Sequence, residues 1–268
     1  MKTLEDVRSS KVPEITLMFW VIKILATTLG ETGGDSLSMQ LNLGYAVSTA
    51  IFFAIFLVVV AAQIGANRFY AFLYWAVIVA TTTAGTTMAD FADRSLVAGY
   101  GGVSQQIGYI VGSTTLFLSL MAVLAIWRFA VGSISFSHIV SRKVEFFYWL
   151  TILFSNTLGT ALGDFFADTS GLGYEGAAFV FSGLLLVLAG LYFFTPISRT
   201  FLFWAAFILT RPLGATLGDI LTKPVDEGGL NLSRIDSSLV IAVIMVLFVA
   251  LAGRRPGQHP AAESASTD

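Results

Sequence analysis

Four stretches decide how this chain folds: FWVIKILATTLGETGGDS (19–36), YWAVIVATTTAGTTMADF (74–91), YWLTILFSNTLGTALGDF (148–165) and FWAAFILTRPLGATLGDI (203–220). Each opens on an aromatic–Trp pair, and Trp20, Trp75, Trp149 and Trp204 are spaced 55, 74 and 55 residues apart. Ten residues beyond each Trp stands a glycine (Gly30, Gly85, Gly159, Gly214), and fourteen beyond it a small residue (Gly34, Ala89, Gly163, Gly218). Fifteen beyond it stands an aspartate (Asp35, Asp90, Asp164, Asp219). The same offsets at three positions in four places identify an internal repeat.

The sequence around these stretches reads as a chain whose solvent is hydrocarbon. Of its 268 residues 56% are hydrophobic and 12% charged, and the mean hydropathy is +0.79; a soluble domain carries about 25% charge. Apolar runs of the length a span needs, about 20 residues, lie near 15–35, 44–64, 70–91, 104–127, 145–166, 177–195, 200–221 and 237–253. The expected fold is an all-α membrane protein of eight transmembrane helices. Each repeat holds two spans and returns to its starting side, so the four repeats are parallel and pseudo-symmetric about the membrane normal.

The chain divides into an N-terminal tail (1–14), repeats 1 and 2 (15–130), a linker (131–144), repeats 3 and 4 (145–253) and a disordered tail (254–268). No cleavable signal peptide is expected, because the first apolar run leads into a polar motif. With the N-terminus inside, ten Lys and Arg residues fall on the inner side and three, Arg94, Lys223 and Arg234, on the outer. That bias puts both termini in the cytoplasm.

Several functions are excluded. The chain has no Cys, hence no disulfide and no thiolate metal site. Its two histidines, His138 and His259, fall in the linker and the tail. A net charge of −2 with no basic stripe argues against nucleic acid. No Ser/His/Asp set, nucleotide loop or haem ligand pair points to an enzyme or a bound cofactor. The expected partners are the lipid bilayer and a small cation; oligomeric state is open.

At 100° per residue the repeated positions form two stripes. The small residues ten and fourteen beyond each Trp form a packing stripe that lets helix backbones approach in lipid. The other stripe carries hydroxyls and carboxylates: Thr28, Glu31, Thr32 and Asp35; Thr83, Thr86, Thr87 and Asp90; Thr157, Thr160 and Asp164; Thr216 and Asp219. The four tryptophans read as interface anchors.

Glu31 and Arg211 are the deepest charges by sequence. A charge at the bilayer centre costs roughly 2.5–3.5 kcal/mol on insertion scales, so the two read either as a buried pair or as a site with Arg211 as counter-charge or gate. Asp93 and Asp168 read as loop carboxylates, Lys23 as a side chain that snorkels, and Pro212 as a kink. The Asp ring under acidic outer loops suggests a negative vestibule that concentrates cations.

The candidate cation-binding set is Glu31, Asp35, Asp90, Asp164 and Asp219, with neutral oxygens from Thr28, Thr83, Asn156 and Thr157. Such all-oxygen ligands suit Mg²⁺, Ca²⁺, Mn²⁺ or a proton. The first expectation is therefore a transporter of a hard cation, a divalent metal such as manganese, calcium or magnesium, with proton coupling as a variant. A pseudo-fourfold cation channel and a non-transporting structural subunit stand beside it.

With the four stretches aligned, residues 12–253 resemble a bacterial membrane-protein family of four tandem repeats of unknown function, each with two spans and a characteristic Trp. The resemblance implies topology and a place in the bacterial inner membrane, and little chemistry. A looser similarity is to manganese and calcium transporters with a Glu-x-Gly-Asp motif in each half. The closest segment here, Glu31-Thr-Gly-Gly-Asp35, has one residue too many between the acids, and the other repeats have Thr86, Thr160 and Ala215 in place of the Glu.

Overall fold

The computed structural model describes residues 11–97, 105–132, 134, 141–169 and 171–252. Most of the tail 1–14, most of the linker 131–144, and the tail 254–268 lie outside these residues, as do His138, His259 and the side chain of Asp168. The described residues form eight α-helices: α1 (Leu17–Asp35), α2 (Gly44–Gly65), α3 (Ala71–Asp90), α4 (Gln105–Val131), α5 (Arg142–Asp164), α6 (Gly173–Phe194), α7 (Arg199–Thr222) and α8 (Arg234–Ala252).

Side-chain hydroxyls start several of them. Thr16, Ser141 and Ser198 accept from the amides of Phe19, Val144 and Phe201, each satisfying one of the unpaired N–H groups of a first turn. Helices α6 and α8 begin three or four residues before their apolar runs. Their first turns are polar, so hydropathy alone passes over them. They follow backbone at positive φ, Gly171 and Gly173 (75° and 66°) and Asn231 (53°), which turns the chain sharply into the helix. Helix α7 runs unbroken through Pro212.

In the first three repeats the motif aspartate is the last α-helical residue, and a π-helical turn follows it: Ser36–Gln40, Phe91–Val97 and Phe165–Thr169. In the fourth, α7 continues past Asp219 to Thr222 and stops before Lys223-Pro224, where the proline disfavours helical backbone at the preceding residue.

The odd helices form a closed inner ring, α1 on α3, α3 on α5, α5 on α7 and α7 on α1. The even helices lie outside, each chiefly against the odd helix of the following repeat: α2 on α3, α4 on α5, α6 on α7 and α8 on α1. Every repeat thus covers its neighbour, and α8 closes the circle. Helices α2, α3, α4, α6, α7 and α8 are long and apolar enough to cross a membrane. Helices α1 and α5 fall short of that measure because they carry Lys23, Glu31 and Asp35, and Glu145, Asn156 and Asp164, all turned to the interior.

One end of the ring is a collar of aromatic rings. Within each repeat the aromatic–Trp pair packs edge to face, at centroid distances of 5.2 Å (Phe19–Trp20), 5.4 Å (Tyr74–Trp75), 5.0 Å (Tyr148–Trp149) and 5.4 Å (Phe203–Trp204). Each Trp also meets the first ring of the preceding repeat: Trp75 with Phe19 (5.5 Å), Trp149 with Tyr74 (5.4 Å), Trp204 with Tyr148 (6.0 Å) and Trp20 with Phe203 (5.7 Å). This corrects the reading of Trp75 and Trp149 as interface anchors. Trp75 and Trp149 are 2% exposed and Trp20 and Trp204 half-buried. Aromatic pairs of this kind contribute about 0.5–1.5 kcal/mol beyond the area they bury.

The Tyr74 and Tyr148 hydroxyls bond each other at 2.8 Å within the collar. Tyr74→Phe or Tyr148→Phe should cost about 1–3 kcal/mol by stranding the partner hydroxyl. The double variant should lie near wild type, since Phe19 and Phe203 already serve in the other two repeats. Thermal unfolding of the three variants in detergent checks this.

The N-terminal segment closes over the same end. Lys11 pairs with the buried Glu145 at 2.8 Å and donates to the carbonyls of Gln63 and Ile64 at the end of α2. Val12 joins the aromatic core, so the last residues of the expected tail are docked.

Candidate functional site

From the collar, steps of four residues along each odd helix give successive layers. They are Lys23, Ile78, Ile152 and Phe207; Thr27, Thr82, Asn156 and Arg211; Glu31, Thr86, Thr160 and Ala215; and the four motif aspartates. None of these sixteen side chains is more than 3% exposed. The polar stripe therefore faces the inside of the ring.

The small residues explain how the ring closes. The glycine ten residues beyond each Trp receives the side chain seven beyond the Trp of the next repeat: Gly30 receives Thr82, Gly85 receives Asn156, Gly159 receives Arg211 and Gly214 receives Thr27. Gly34, Gly163 and Gly218 likewise receive Thr86, Ala215 and Glu31; Ala89 is fully buried. The packing stripe of one helix is thus the seat of the polar stripe of its neighbour. Hydrogen bonds cross the same seams, from Thr82 Oγ1 to Ala26 O (3.1 Å), Thr86 Oγ1 to Gly30 O (3.2 Å) and Thr27 Oγ1 to Thr210 O (3.2 Å).

Arg211 crosses from α7 to α1, and its Nη2 meets Glu31 Oε2 at 2.8 Å. The same nitrogen donates to Thr86 Oγ1, and Thr86 donates to Glu31 Oε2 at 3.2 Å. Arg211 Nη1 donates to Thr27 O, while its Nε is buried with no partner.

The aspartates are bridged in pairs. Arg94 lies 2.9 Å from Asp90 and 3.4 Å from Asp164, and Lys223 lies 3.3 Å from Asp219 and 3.8 Å from Asp35. Arg234 of α8 reaches Asp35 at 3.5 Å. Both bridging bases follow their own aspartate by four residues, in repeats 2 and 4 only. The ring of four acids is thereby reduced to twofold pseudo-symmetry. The expected negative vestibule is corrected accordingly, because the three outer basic residues sit on the acids. Burial disfavours the Lys223 ammonium, but Asp219 and Asp35 outweigh it and hold its pKa well above the ordinary lysine value.

Three of these acids also converge, although each meets a base as well. Glu31, Asp164 and Asp219 each place a carboxylate oxygen within 4.8 Å of the others, all three buried. Asp35 and Asp90 are not part of this trio, although both oxygens of Asp35 and Asp90 Oδ2 lack hydrogen bonds. Thr28, Thr83 and Thr157 donate to the carbonyls of Ile24, Val79 and Leu153 on their own helices, the usual bond of a mid-helix threonine. Asn156 donates to Thr81 Oγ1 at 3.0 Å and faces the Lys23 ammonium at 3.4 Å, which takes the place a bound cation would need.

Lys23 does not snorkel. It is fully buried, 4.2 Å above the Phe207 ring. Asp93 is likewise no exposed loop carboxylate; it is fully buried against Gly112 of α4. Reasoning from sequence missed Arg94 and Lys223 as members of the site. The four-residue step from Asp90 and Asp219, one helical turn, was the available signal.

The model of the family described as Repeat of Unknown Function (DUF347) matches the chain four times, over residues 18–69, 73–133, 147–198 and 202–256. The chain belongs to the DUF347 family. The four matches coincide with the four Trp-to-Asp stretches, so the family repeat is one inner helix with the outer helix that follows it. No curated protein and no solved structure matches this DUF347 chain significantly.

Proposed function

We propose that this protein is a multi-pass membrane transporter for a hard cation, a divalent metal of the Mn²⁺, Mg²⁺ or Ca²⁺ class, bound by Glu31, Asp164 and Asp219. The observation that carries this reading is the convergence of those three buried carboxylates within 4.8 Å. Each of the three already meets one base, and a cation or shared protons between them would relieve the repulsion that remains.

The wider charge balance supports a dication. Glu31, Asp35, Asp90, Asp93, Asp164 and Asp219 are six buried acids, and Arg94, Arg211, Lys223 and Arg234 are the four bases paired among them. Two positive charges would complete the balance at this end, one divalent ion or two protons. Carboxylate oxygens favour hard ions over Cu(I) or Zn²⁺.

All eight helices are read as spanning the bilayer, in parallel repeats around its normal. The outer helices present large apolar side chains such as Val58, Phe179, Leu186 and Leu251 to lipid, and they shield the charged α1 and α5. The excess of Lys and Arg at the Trp end supports a cytoplasmic location for that end and for both termini, in a bacterial inner membrane. The collar and the buried Lys23 favour a carrier over an open channel.

Purified protein in liposomes should take up Mn²⁺ with saturation, and Asp164→Asn and Asp219→Asn should each abolish that uptake while leaving the protein folded; Glu31→Gln should abolish it too, in protein that is less stable because Arg211 loses its partner. Full uptake by the Glu31→Gln/Asp219→Asn double variant would sink the proposal.

A further inference from the structure

We infer that Lys23 is the group that couples a counter-moving proton to the cation site, an inference that rests on the transport reading above. Lys23 stands apart from the other basic side chains of the interior. Lys11, Arg94, Arg211, Lys223 and Arg234 each meet a carboxylate. Lys23 meets none among the described residues; its ammonium has Asn156 Oδ1 at 3.4 Å and the Phe207 face at 4.2 Å. An interior ammonium with one polar acceptor and a ring face is placed where a structural role would demand a carboxylate.

The position of Lys23 links two features of the ring. On the collar side the next layer, four residues back or about 6 Å along the helices, holds the Tyr74–Tyr148 hydroxyl pair. On the other side, α7 brings Arg211, which is bound to Glu31 of the carboxylate trio. Beyond the tyrosines, at the Trp end, α5 also brings the buried Glu145, paired with Lys11; the charged residues of α8, Arg234 and Asp236, lie at the opposite end. A lysine can release its proton and an arginine keeps it, so of the two axial cations only Lys23 can exchange one.

When a dication enters the trio, positive charge rises along the axis. The N–H bond of Lys23 breaks, its electron pair stays on Nζ, and the proton leaves past the tyrosine hydroxyls to water at the Trp end. When the dication leaves at the opposite face, a proton returns to Nζ from that face, so a cation that entered from the Trp end and the proton it displaced have moved in opposite directions.

The test is Mn²⁺ uptake into liposomes under an imposed pH gradient, with a trapped pH dye reporting proton movement, for wild type, Lys23→Met and Lys23→Arg. Wild-type uptake should respond to the gradient and move protons the other way. Lys23→Met, which removes an unpaired buried charge and should remain monodisperse and at least as thermostable, should bind Mn²⁺ but lose both the response and the proton movement. Lys23→Arg, with a charge that cannot leave, should lose them too. Gradient response retained in either variant, or Mn²⁺ uptake without proton movement in wild type, would overturn the role of Lys23 alone. Absence of any Mn²⁺ uptake by wild type would remove the transport reading and this inference with it.

Discussion

Arg211→Met is expected to destabilise the protein by about 3–5 kcal/mol, the cost of stranding one member of a buried ion pair. The guanidinium meets Glu31 Oε2 at 2.8 Å, with Thr86 as the shared neighbour. Without it Glu31 faces Asp164 and Asp219 uncompensated. Glu31→Gln should cost a similar amount by stranding Arg211, whose Nε already lacks a partner. The double variant should recover most of the loss, because two neutral groups leave no orphaned charge.

Divalent metal separates a structural pair from a cation site. Added Mn²⁺ should raise the melting temperature of Arg211→Met, since a dication between the three acids replaces the missing charge, and should not rescue Glu31→Gln. Melting curves with and without Mn²⁺ decide this. Equal behaviour of the two variants would mean that the pair is only structural.

The second large effect concerns the glycine seats, and it is graded. A Cβ on Gly30 would lie 2.5 Å from Thr82 Cβ and 2.9 Å from its backbone carbon, and one on Gly214 would meet Thr27 in the same way. On Gly159 it would lie 2.6 Å from Cβ and Cγ of Arg211, and on Gly85 no closer than 3.1 Å to its nearest neighbour. Overpacking a tight contact costs about 1–3 kcal/mol, and Ala in place of Gly returns up to about 1 kcal/mol of helix propensity. Gly30→Ala and Gly214→Ala should therefore be the most destabilising, since the added Cβ would also meet a backbone carbon at 2.9 Å, and Gly159→Ala intermediate, since it would meet only side-chain atoms that closely. Gly85→Ala should be near neutral. A uniform effect at the four positions, read from thermal or denaturant unfolding in detergent, would contradict the ring.

Much of this arrangement was legible in the sequence. Four copies of one Trp-to-Asp pattern establish the repeat, and the even number of apolar runs per copy makes the copies run in one direction. The fixed offsets identify a small-residue face and a polar face on each inner helix. Glu31 and Arg211 stand out as charges too deep in apolar runs to be accidental. All these properties follow from the 3.6-residue period of a single helix and need no knowledge of its neighbours.

The remainder depends on which face meets which, and only the closed ring decides that. Trp75 and Trp149, read as anchors, are buried because each finds the aromatic ring of the preceding repeat. Arg94 and Lys223 look like loop charges until the ring brings Asp164 and Asp35 beside them. The sequence spacing puts Thr28, Thr83 and Thr157 on the acids' face, and only the folded helices show each hydroxyl donating to its own helix. By itself the sequence determined the repeat, the inner helices and their two faces, because periodicity is local. Tertiary structure alone decided that each outer helix covers the next repeat and that Glu31, Asp164 and Asp219 meet, because those contacts join residues far apart in the chain and exist only once α8 and α7 close onto α1.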